Sequence, residues 1–323
     1  LDRFGLAPGS EAAGLPDETK AAIVAFAAGS EGATVSPGGA ALNAVRVAAW
    51  AGGRALRAAF VGSVGQDAHG AVLREAAVEA GVVPLLYEAA EQPTGVSASL
   101  VERESRDRTL ATSRGAAAAL SPDFLGEPGV AALVGEAALL YLTSFVLSSQ
   151  PRIAAAEALA ASVRGRGGAL AVNLSSAGLL PKVLDPLSRL LPHCRYAFGN
   201  LGELRALAAL RGWTAADGGR DDGGGREGLA AALAAELAEG GMAVVTAGAE
   251  ATLVALRGGE VRNFPVPAVP KEEIVDTNAA GDAFVGGFLA KALADGASVE
   301  SCVEAGHSAS GFILRRRGCD LRS

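Results

Sequence analysis

Short apolar segments alternate with longer alanine-rich segments along most of this 323-residue chain. The short segments, each the length of one buried strand, are 58–61, 138–142, 169–172, 196–198 and 243–245. The longer segments have helical length and period, and they are 40–50, 69–80, 151–164, 201–210 and 228–239. A strand buried on both faces is apolar throughout, and parallel strands need helical crossovers between them. The alternation therefore predicts an α/β fold in which helices cover both faces of a mostly parallel sheet.

Two segments depart from this pattern. In the first, Val96, Ala98 and Leu100 alternate with small or polar residues, a charged stretch follows at 102–107, and 108–111 extends again. This alternation predicts an antiparallel hairpin with one solvent-exposed face. The second segment, 217–228, consists entirely of glycine and charged residues. Its composition predicts a surface loop without regular structure.

Composition and charge exclude several classes of protein. The formal net charge is −7 and the isoelectric point is about 5.2, so no basic field would attract nucleic acid. The most apolar long stretch, 131–147, is interrupted by Glu136, so we expect a buried strand there and no membrane span. The three cysteines have no CxxC spacing and suggest no disulfide framework, which favours a reducing, cytoplasmic location.

The segment 276–284 (DTNAAGDAF) carries the strongest signal for chemistry. A strand-like stretch at 273–275 runs into small residues and then into an apolar helix. Small residues allow a ligand to approach the backbone, and a helix N-terminus presents free N–H groups to an anion. Asp282, at the start of that helix, could take a proton from an attacking hydroxyl beside a transferred phosphoryl group. A helix-capping aspartate among tightly packed glycines is the alternative interpretation.

A second segment, 36–43 (SPGGAALN), places two glycines at the start of a predicted helix. Gly38 and Gly39 would let the backbone approach a polar ligand such as a ribose, with Asn43 one turn into the helix. An ordinary glycine turn before a helix is the alternative.

Together these two segments resemble the signatures of the ribokinase-like (PfkB) carbohydrate kinase family. The continuation of the second segment to Trp50 is similar to the substrate-binding signature of the adenosine kinases within that family, and the resemblance extends over about 1–319. It implies a mostly parallel central sheet flanked by helices, with a small β-sheet lid. The α/β body would comprise 38–90 and 115–323, and the lid would comprise 1–37 and 91–114.

The resemblance also implies a reaction, the ATP-dependent phosphorylation of the 5′-hydroxyl of adenosine to give AMP and ADP. Asp282 would be the catalytic base, and Arg108 would reach from the lid to the transferred phosphoryl group, although a solvated hairpin charge is its alternative. The backbone of Ala279, Ala280 and Gly281 would form the anion hole. The nucleoside would contact five residues, which are Gly38, Gly39, Asn43, Phe145 and Asn278. Phe145 would stack on the base, with Ser148 on the same loop, and a phenylalanine of the core is the alternative.

On the nucleotide side the resemblance implies that Asn200, Thr246, Gly248 and His307 contact ATP. Glu203, in the Asn-x-x-Glu pattern, would act on Mg²⁺ indirectly through water. The same spacing also fits a helix-capping pair, and His307 could be an imidazole on a helix surface. The implied cofactor is Mg²⁺, and the implied partners are adenosine and ATP. We expect the chain to be a monomer.

Two departures from the adenosine kinase pattern leave alternatives open. Ala40 stands where a serine is usual, and the chain begins at Leu1, where a ribose-binding strand with an Asn-Pro-x-x-Asp pattern would just have ended. We expect such a strand to be encoded upstream of Leu1. One alternative is a kinase of the same family that acts on another nucleoside or on a sugar. The other is a non-catalytic relative that acts as a binding or scaffold protein.

Overall fold

The computed structural model describes residues 4, 15–101, 108–213 and 225–322. The described residues form ten strands: β1 (Ala58–Gly65), β2 (Val82–Ala89), β3 (Val96–Val101), β4 (Arg108–Ser113), β5 (Leu139–Thr143), β6 (Ala169–Asn173), β7 (Tyr196–Asn200), β8 (Met242–Ala247), β9 (Glu250–Leu256) and β10 (Val261–Phe264). They also form eleven α-helices: α1 (Asp17–Ala28), α2 (Ala40–Gly52), α3 (Ala68–Glu79), α4 (Pro122–Leu125), α5 (Pro128–Gly135), α6 (Gln150–Arg164), α7 (Leu180–Leu190), α8 (Leu201–Arg211), α9 (Gly225–Ala235), α10 (Ala280–Ala292) and α11 (Val299–Leu314).

The largest sheet contains six strands in the order β10-β9-β8-β7-β6-β5. Strands β5 to β8 are parallel, whereas β9 and β10 pair antiparallel at one side. Alternate residues of each strand enter different cores. In β6, Leu170 and Val172 pack with helices α6 to α9, and Ala171 packs with α2, α10 and α11. The apolar strands are therefore covered on both faces, as the sequence predicts, and the mostly parallel sheet is confirmed.

Two smaller sheets accompany the central one. Strands β1 and β2 pair in parallel, and helices α2 and α3 pack on them through the buried residues Leu42, Ala49, Ala77 and Val82. Strands β3 and β4 form the antiparallel hairpin that the sequence predicts. Helix α1, which the sequence analysis did not assign, packs on this hairpin, with Ile23 against Ala98 and Ala111.

Two local predictions are wrong. The loop predicted at 217–228 extends too far, because α9 begins at Gly225; the part at 217–224 lies outside the described residues. Residues 273–275 form no strand: Lys271–Glu273 is a 3₁₀ turn, and the Val275 N–H donates to the Leu314 carbonyl. The segment therefore runs along the end of α11 and joins no sheet.

Helix α10 lies between α2 and α11, and two glycines allow the close approach. A Cβ atom at Gly286 would lie 2.4 Å from the Ala44 carbonyl oxygen, and one at Gly287 would lie 2.5 Å from the Ala305 carbonyl oxygen. Any larger residue would force the helices apart. The tight packing fixes the N-terminus of α10 beside the N-terminus of α2, where the candidate site lies.

Within the described ranges, no helix combines the length and the hydropathy that crossing a bilayer requires.

Candidate active site

A polar cleft opens where the parallel strands end. The ends of β6, β7 and β8 contribute Asn173, Asn200 and Thr246, and the start of α10 contributes Gly281 and Asp282. The cleft encloses about 520 Å³ of space, including the part open to solvent. Ligands of α/β proteins bind at this edge of the sheet, because the loops that follow the strands converge there. Five of the predicted site residues therefore line one cleft, which are Asn200, Glu203, Thr246, Gly281 and Asp282, and Ala40 lines it as well.

Asp282 occupies the third position of α10 and is partly buried. The Asn43 side-chain amide donates a hydrogen bond to its carboxylate, with 2.9 Å between Nδ2 and Oδ2. Burial raises the pKa of Asp282 to about 6, and the hydrogen bond from Asn43 opposes that rise. A carboxylate with a raised pKa is a better proton acceptor near neutral pH than an exposed one.

The residues just before Asp282 shape an anion-binding backbone. Ala279 adopts a left-handed conformation, with φ 61°, and so turns the chain sharply into α10. The N–H groups of Ala280, Gly281 and Asp282 belong to the first helical turn, so they have no partner within the helix. A Cβ at Gly281 would meet no atom within 4 Å, which leaves space for a ligand beside these donors.

Asp276 holds this loop in place, and the sequence analysis assigned it no role. Its Oδ1 accepts from the Asn278 N–H at 2.8 Å, and its Oδ2 accepts from the Gly318 N–H at 2.9 Å. These bonds connect the loop before α10 to the segment after α11. Asn278, predicted as a substrate contact, therefore lies in a fixed backbone turn four residues before Asp282.

Asn200 and Glu203 form a capping box at the start of α8. The Asn200 Oδ1 accepts from the Glu203 N–H at 2.9 Å, and the Glu203 Oε2 accepts from the Asn200 N–H at 2.9 Å. The Asn200 amide also donates to Oε1 at 2.8 Å. The capping alternative is thus confirmed, and the Glu203 side chain, 7% exposed, still lines the cleft. Across the described chain, no group of three or more His, Cys, Asp or Glu side chains is placed to hold a metal ion.

The glycine pair precedes α2 on the exposed side of the cleft. Gly39 has φ 102°, a conformation that favours glycine, and its carbonyl accepts from the Asn43 N–H at 2.8 Å. A Cβ at Gly38 or Gly39 would meet no atom within 4 Å, so a ligand could approach the backbone at both positions.

Three further predicted residues, Phe145, His307 and Gly248, lie outside the cleft lining. Phe145 is 42% exposed on the 3₁₀ turn Ser144–Ser148, so it is not a core phenylalanine. His307 lies behind the cleft wall on α11, where its Nε2 hydrogen-bonds Thr252 at 2.9 Å and burial lowers its pKa. Gly248, with φ 65°, forms the turn after β8. Arg108 begins β4, opposite Val101, and its side chain lies outside the described part of the structure.

Sequence reasoning missed Asn173 and Ser175, which complete the cleft. Asn173 ends β6 as Asn200 ends β7, and this shared position at a strand end is the signal that could have identified it. Ser175 has φ 68°, and among the described non-glycine residues positive φ occurs only there and at Ala279. Backbone strain of this kind concentrates at ligand sites, but no local sequence pattern announces it.

Comparisons with known proteins agree with this architecture. Residues 26–323 match the model of the pfkB family carbohydrate kinases. The chain is 32% identical over 286 residues to adenosine kinase 1 of Arabidopsis thaliana, covering 87% of this chain and 79% of the relative. It is 33% identical over 285 residues to the adenosine kinase of Dictyostelium discoideum, covering 88% and 81%.

Solved structures give the same result. The Anopheles gambiae adenosine kinase, solved in complex with P1,P4-di(adenosine-5) tetraphosphate, superposes with a TM-score of 0.87 and 29% identity, covering 99% of this chain and 91% of that one. The fold and the matched family define the chain as a kinase with the ribokinase-like α/β fold, which transfers a phosphoryl group to an alcohol. It belongs to the pfkB family of carbohydrate kinases.

Proposed function

We propose that this chain transfers the γ-phosphoryl group of ATP to the 5′-hydroxyl of adenosine, giving AMP and ADP. The observation that carries the proposal is the position of Asp282. Its carboxylate lies in the cleft at the N-terminus of α10, with a raised pKa and a hydrogen bond from the Asn43 amide. The relatives reported above, named adenosine kinases, support adenosine as the acceptor.

Asp282 acts as the general base of the transfer. It accepts the proton of the 5′-hydroxyl while that oxygen forms a bond to the γ-phosphorus, and the bond to the bridging oxygen breaks to release ADP. The free N–H groups at the start of α10 stabilise the negative charge on the transferred group, because they already point to where it develops. We assign the anion hole to the backbone of Ala279, Ala280 and Gly281, through which the chain turns into α10.

The phosphates of ATP lie in the cleft at the ends of β7 and β8. Asn200 and Thr246 line this part, and Gly248 lies in the turn that follows. His307 packs its ring against that of Phe284, which also lines the cleft. Both Glu203 oxygens already accept bonds from Asn200, so the site fits Mg²⁺ held through water better than by direct ligands. When bound, the ion would neutralise charge on the phosphates.

The nucleoside lies between the start of α2 and the turn that carries Phe145. The exposed Phe145 ring stacks on the base, and the open backbone at Gly38 and Gly39 receives the ribose, with Asn43 and Asn278 beside it. Residues 1–37 and 91–114 form a lid in which the β3–β4 hairpin closes over the acceptor, so that water is excluded and Arg108 reaches the phosphoryl group. Residues 38–90 and 115–323 form the body.

A coupled ADP-release assay with adenosine, inosine and ribose tests the acceptor. We expect turnover with adenosine to exceed turnover with the other two at equal concentration, and Asp282→Asn to remove it. Inosine or ribose turning over faster would assign the chain to a different acceptor within the family. ATP consumption that Asp282→Asn leaves intact would contradict the catalytic site itself.

We also propose that the enzyme is a cytoplasmic monomer. Cys194, Cys302 and Cys319 are all buried and unpaired, as in a reducing compartment. Light scattering of the purified chain at several concentrations tests the monomer, and a mass near twice 32.1 kDa would contradict it.

A further inference from the structure

The turn Ser144–Ser148 connects the cleft to the exposed Phe145 ring. At its first residue, the Ser144 hydroxyl donates to the Asn173 carbonyl at 2.7 Å, and the Ser144 N–H donates to Ser175 Oγ at 3.1 Å. Both partners line the cleft. One end of the turn is therefore fixed to the wall of the phosphate-side cleft.

The other end of the turn is held by Arg152, in the first turn of α6. The Arg152 Nε donates to Ser149 Oγ at 3.0 Å, and its Nη2 donates to Ser148 Oγ. The Ser148 hydroxyl in turn donates to the Phe145 carbonyl at 2.8 Å. A continuous chain of hydrogen bonds thus runs from the guanidinium through Ser148 to the backbone of Phe145.

Arg152 is an unusual residue for this position, because it is only 7% exposed and has no acidic partner in the part of the chain that the structure describes. No carboxylate among the described residues lies within ion-pair distance of it, and the nearby charge of Arg114 has the same sign. Burial, and secondarily Arg114, lowers the pKa of Arg152 to about 10. A buried cation held only by hydroxyl groups costs stability, whereas a neutral side chain would not. Stability of the fold therefore does not explain an arginine here.

We propose that Arg152 is a positioning residue of the acceptor site, which holds the Ser144–Ser148 turn through Ser148 so that Phe145 faces the nucleoside base. The inference rests on the proposed function, in which Phe145 stacks on the base. Arginine suits the task because its rigid, forked donors reach two hydroxyl groups at once, whereas lysine offers a single mobile point of attachment. With the turn released, Phe145 would sample other positions, and the stacking contact would weaken without a change at Asp282.

The test compares Arg152→Lys, Ser148→Ala and Phe145→Ala by steady-state kinetics with adenosine and ATP varied separately. We expect Arg152→Lys and Ser148→Ala each to raise the KM for adenosine by about three- to tenfold, the range of a single aromatic contact. Both should change kcat and the KM for ATP by less than about twofold, since the contact is the same in ground and transition states. Phe145→Ala sets the upper limit, with an increase in adenosine KM of about five- to a hundredfold.

A double variant separates positioning from a general structural effect. In the Phe145→Ala background, Arg152→Lys should add nothing to the adenosine KM, because Arg152 acts only through that ring. Arg211→Lys is the matched control. Arg211 ends α8, is partly buried and donates to Glu236, the residue after α9, so its replacement should leave the adenosine KM unchanged.

The outcomes are distinguishable. An unchanged adenosine KM in Arg152→Lys and Ser148→Ala, beside a raised KM in Phe145→Ala, would overturn the role of Arg152 and leave the proposed function standing. Additive effects in the double variant would also overturn it. If Arg152→Lys fails to fold, Ser148→Ala decides alone. Absence of adenosine turnover in the unmodified chain would instead contradict the proposed function.

Discussion

Replacing Asn43 with alanine should shift the pH dependence of the reaction to higher pH. Asn43 donates to the Asp282 carboxylate at 2.9 Å, and this bond opposes the effect of burial, which raises the pKa to about 6. A donor to the charged form stabilises that form, so its loss raises the pKa further. Because a general base works only when deprotonated, activity falls as pH falls through this pKa.

The size of the shift follows from the contact. A hydrogen bond to a charged group contributes about 1.5–3 kcal/mol, which corresponds to about one to two pH units. The midpoint of the acid limb should therefore move from about 6 to between roughly 7 and 8 in Asn43→Ala. At pH 7 about nine-tenths of the unmodified enzyme would carry the ionised base, against roughly one-half to one-tenth of the variant. The loss should be recovered near pH 9.

The assay is the pH profile of kcat/KM for adenosine, which reports the free enzyme. Each profile is normalised to its own plateau, so any lost substrate contact of Asn43 cancels. The titration of ATP also cancels, because both enzymes use the same donor. Asn263→Ala, which removes a comparable exposed bond to Glu227 at 2.6 Å, is the control and should not shift the midpoint. A lower plateau with an unmoved midpoint would refute the reasoning and make Asn43 a substrate contact only.

Three further substitutions probe the same site. Asp282→Asn should lower kcat by about 10²- to 10⁴-fold. The same variant should melt at a higher temperature than the unmodified chain at pH 7 but not near pH 4. The reason is that a carboxyl group whose pKa is raised by folding destabilises the fold only at pH values above its pKa in the unfolded chain. Arg108→Ala should reduce kcat/KM by about 10²-fold with little change in the nucleoside Kd from calorimetry, and a rise in Kd alone would make it a substrate contact. Gly286→Ala should force α2 away from α10, costing about 1–3 kcal/mol in urea unfolding and raising the acid-limb midpoint as Asn43→Ala does; an unmoved midpoint would disconnect the packing from the base.

The fold could be predicted from the sequence because its signals are local. Strands β5 to β8 are mostly apolar because helices cover both faces of the sheet. The residues of each strand show this pattern without reference to the rest of the chain. Helix α1 was missed for the opposite reason: most of its side chains face solvent or a two-stranded hairpin, so its apolar period is weak. The loop at 217–228 was extended too far because Gly225 and Gly228, poor helix formers, lie within the first turn of α9.

The site was predictable only where residues of one segment act together. Asp282 and the Ala279–Gly281 backbone come from a single turn, and the local pattern pointed to them. Asn200 and Thr246 were instead expected from the family resemblance, and both line the cleft near the C-terminal ends of β7 and β8. Ser175 was not predictable, since its left-handed backbone is imposed by the structure around it. The Asn-x-x-Glu spacing fits either a capping pair or a metal-site group, and the bonds between Glu203 and Asn200 show the capping pair.

The hydrogen bond between Asn43 and Asp282 could not be predicted from the sequence, because the two residues are 239 positions apart in the chain. The distance between them is set by neither side chain. It depends on how closely α2 approaches α10, and the hydrogen atom at Gly286, against the Ala44 carbonyl, determines that approach. Gly286 has no reactive side chain, yet it contributes to the pKa of Asp282. Moving α2 outward would remove the hydrogen bond from Asn43, which opposes the rise in that pKa. Residues that matter for proton transfer in this fold should therefore be sought along the packed faces of these two helices as well as in the cleft.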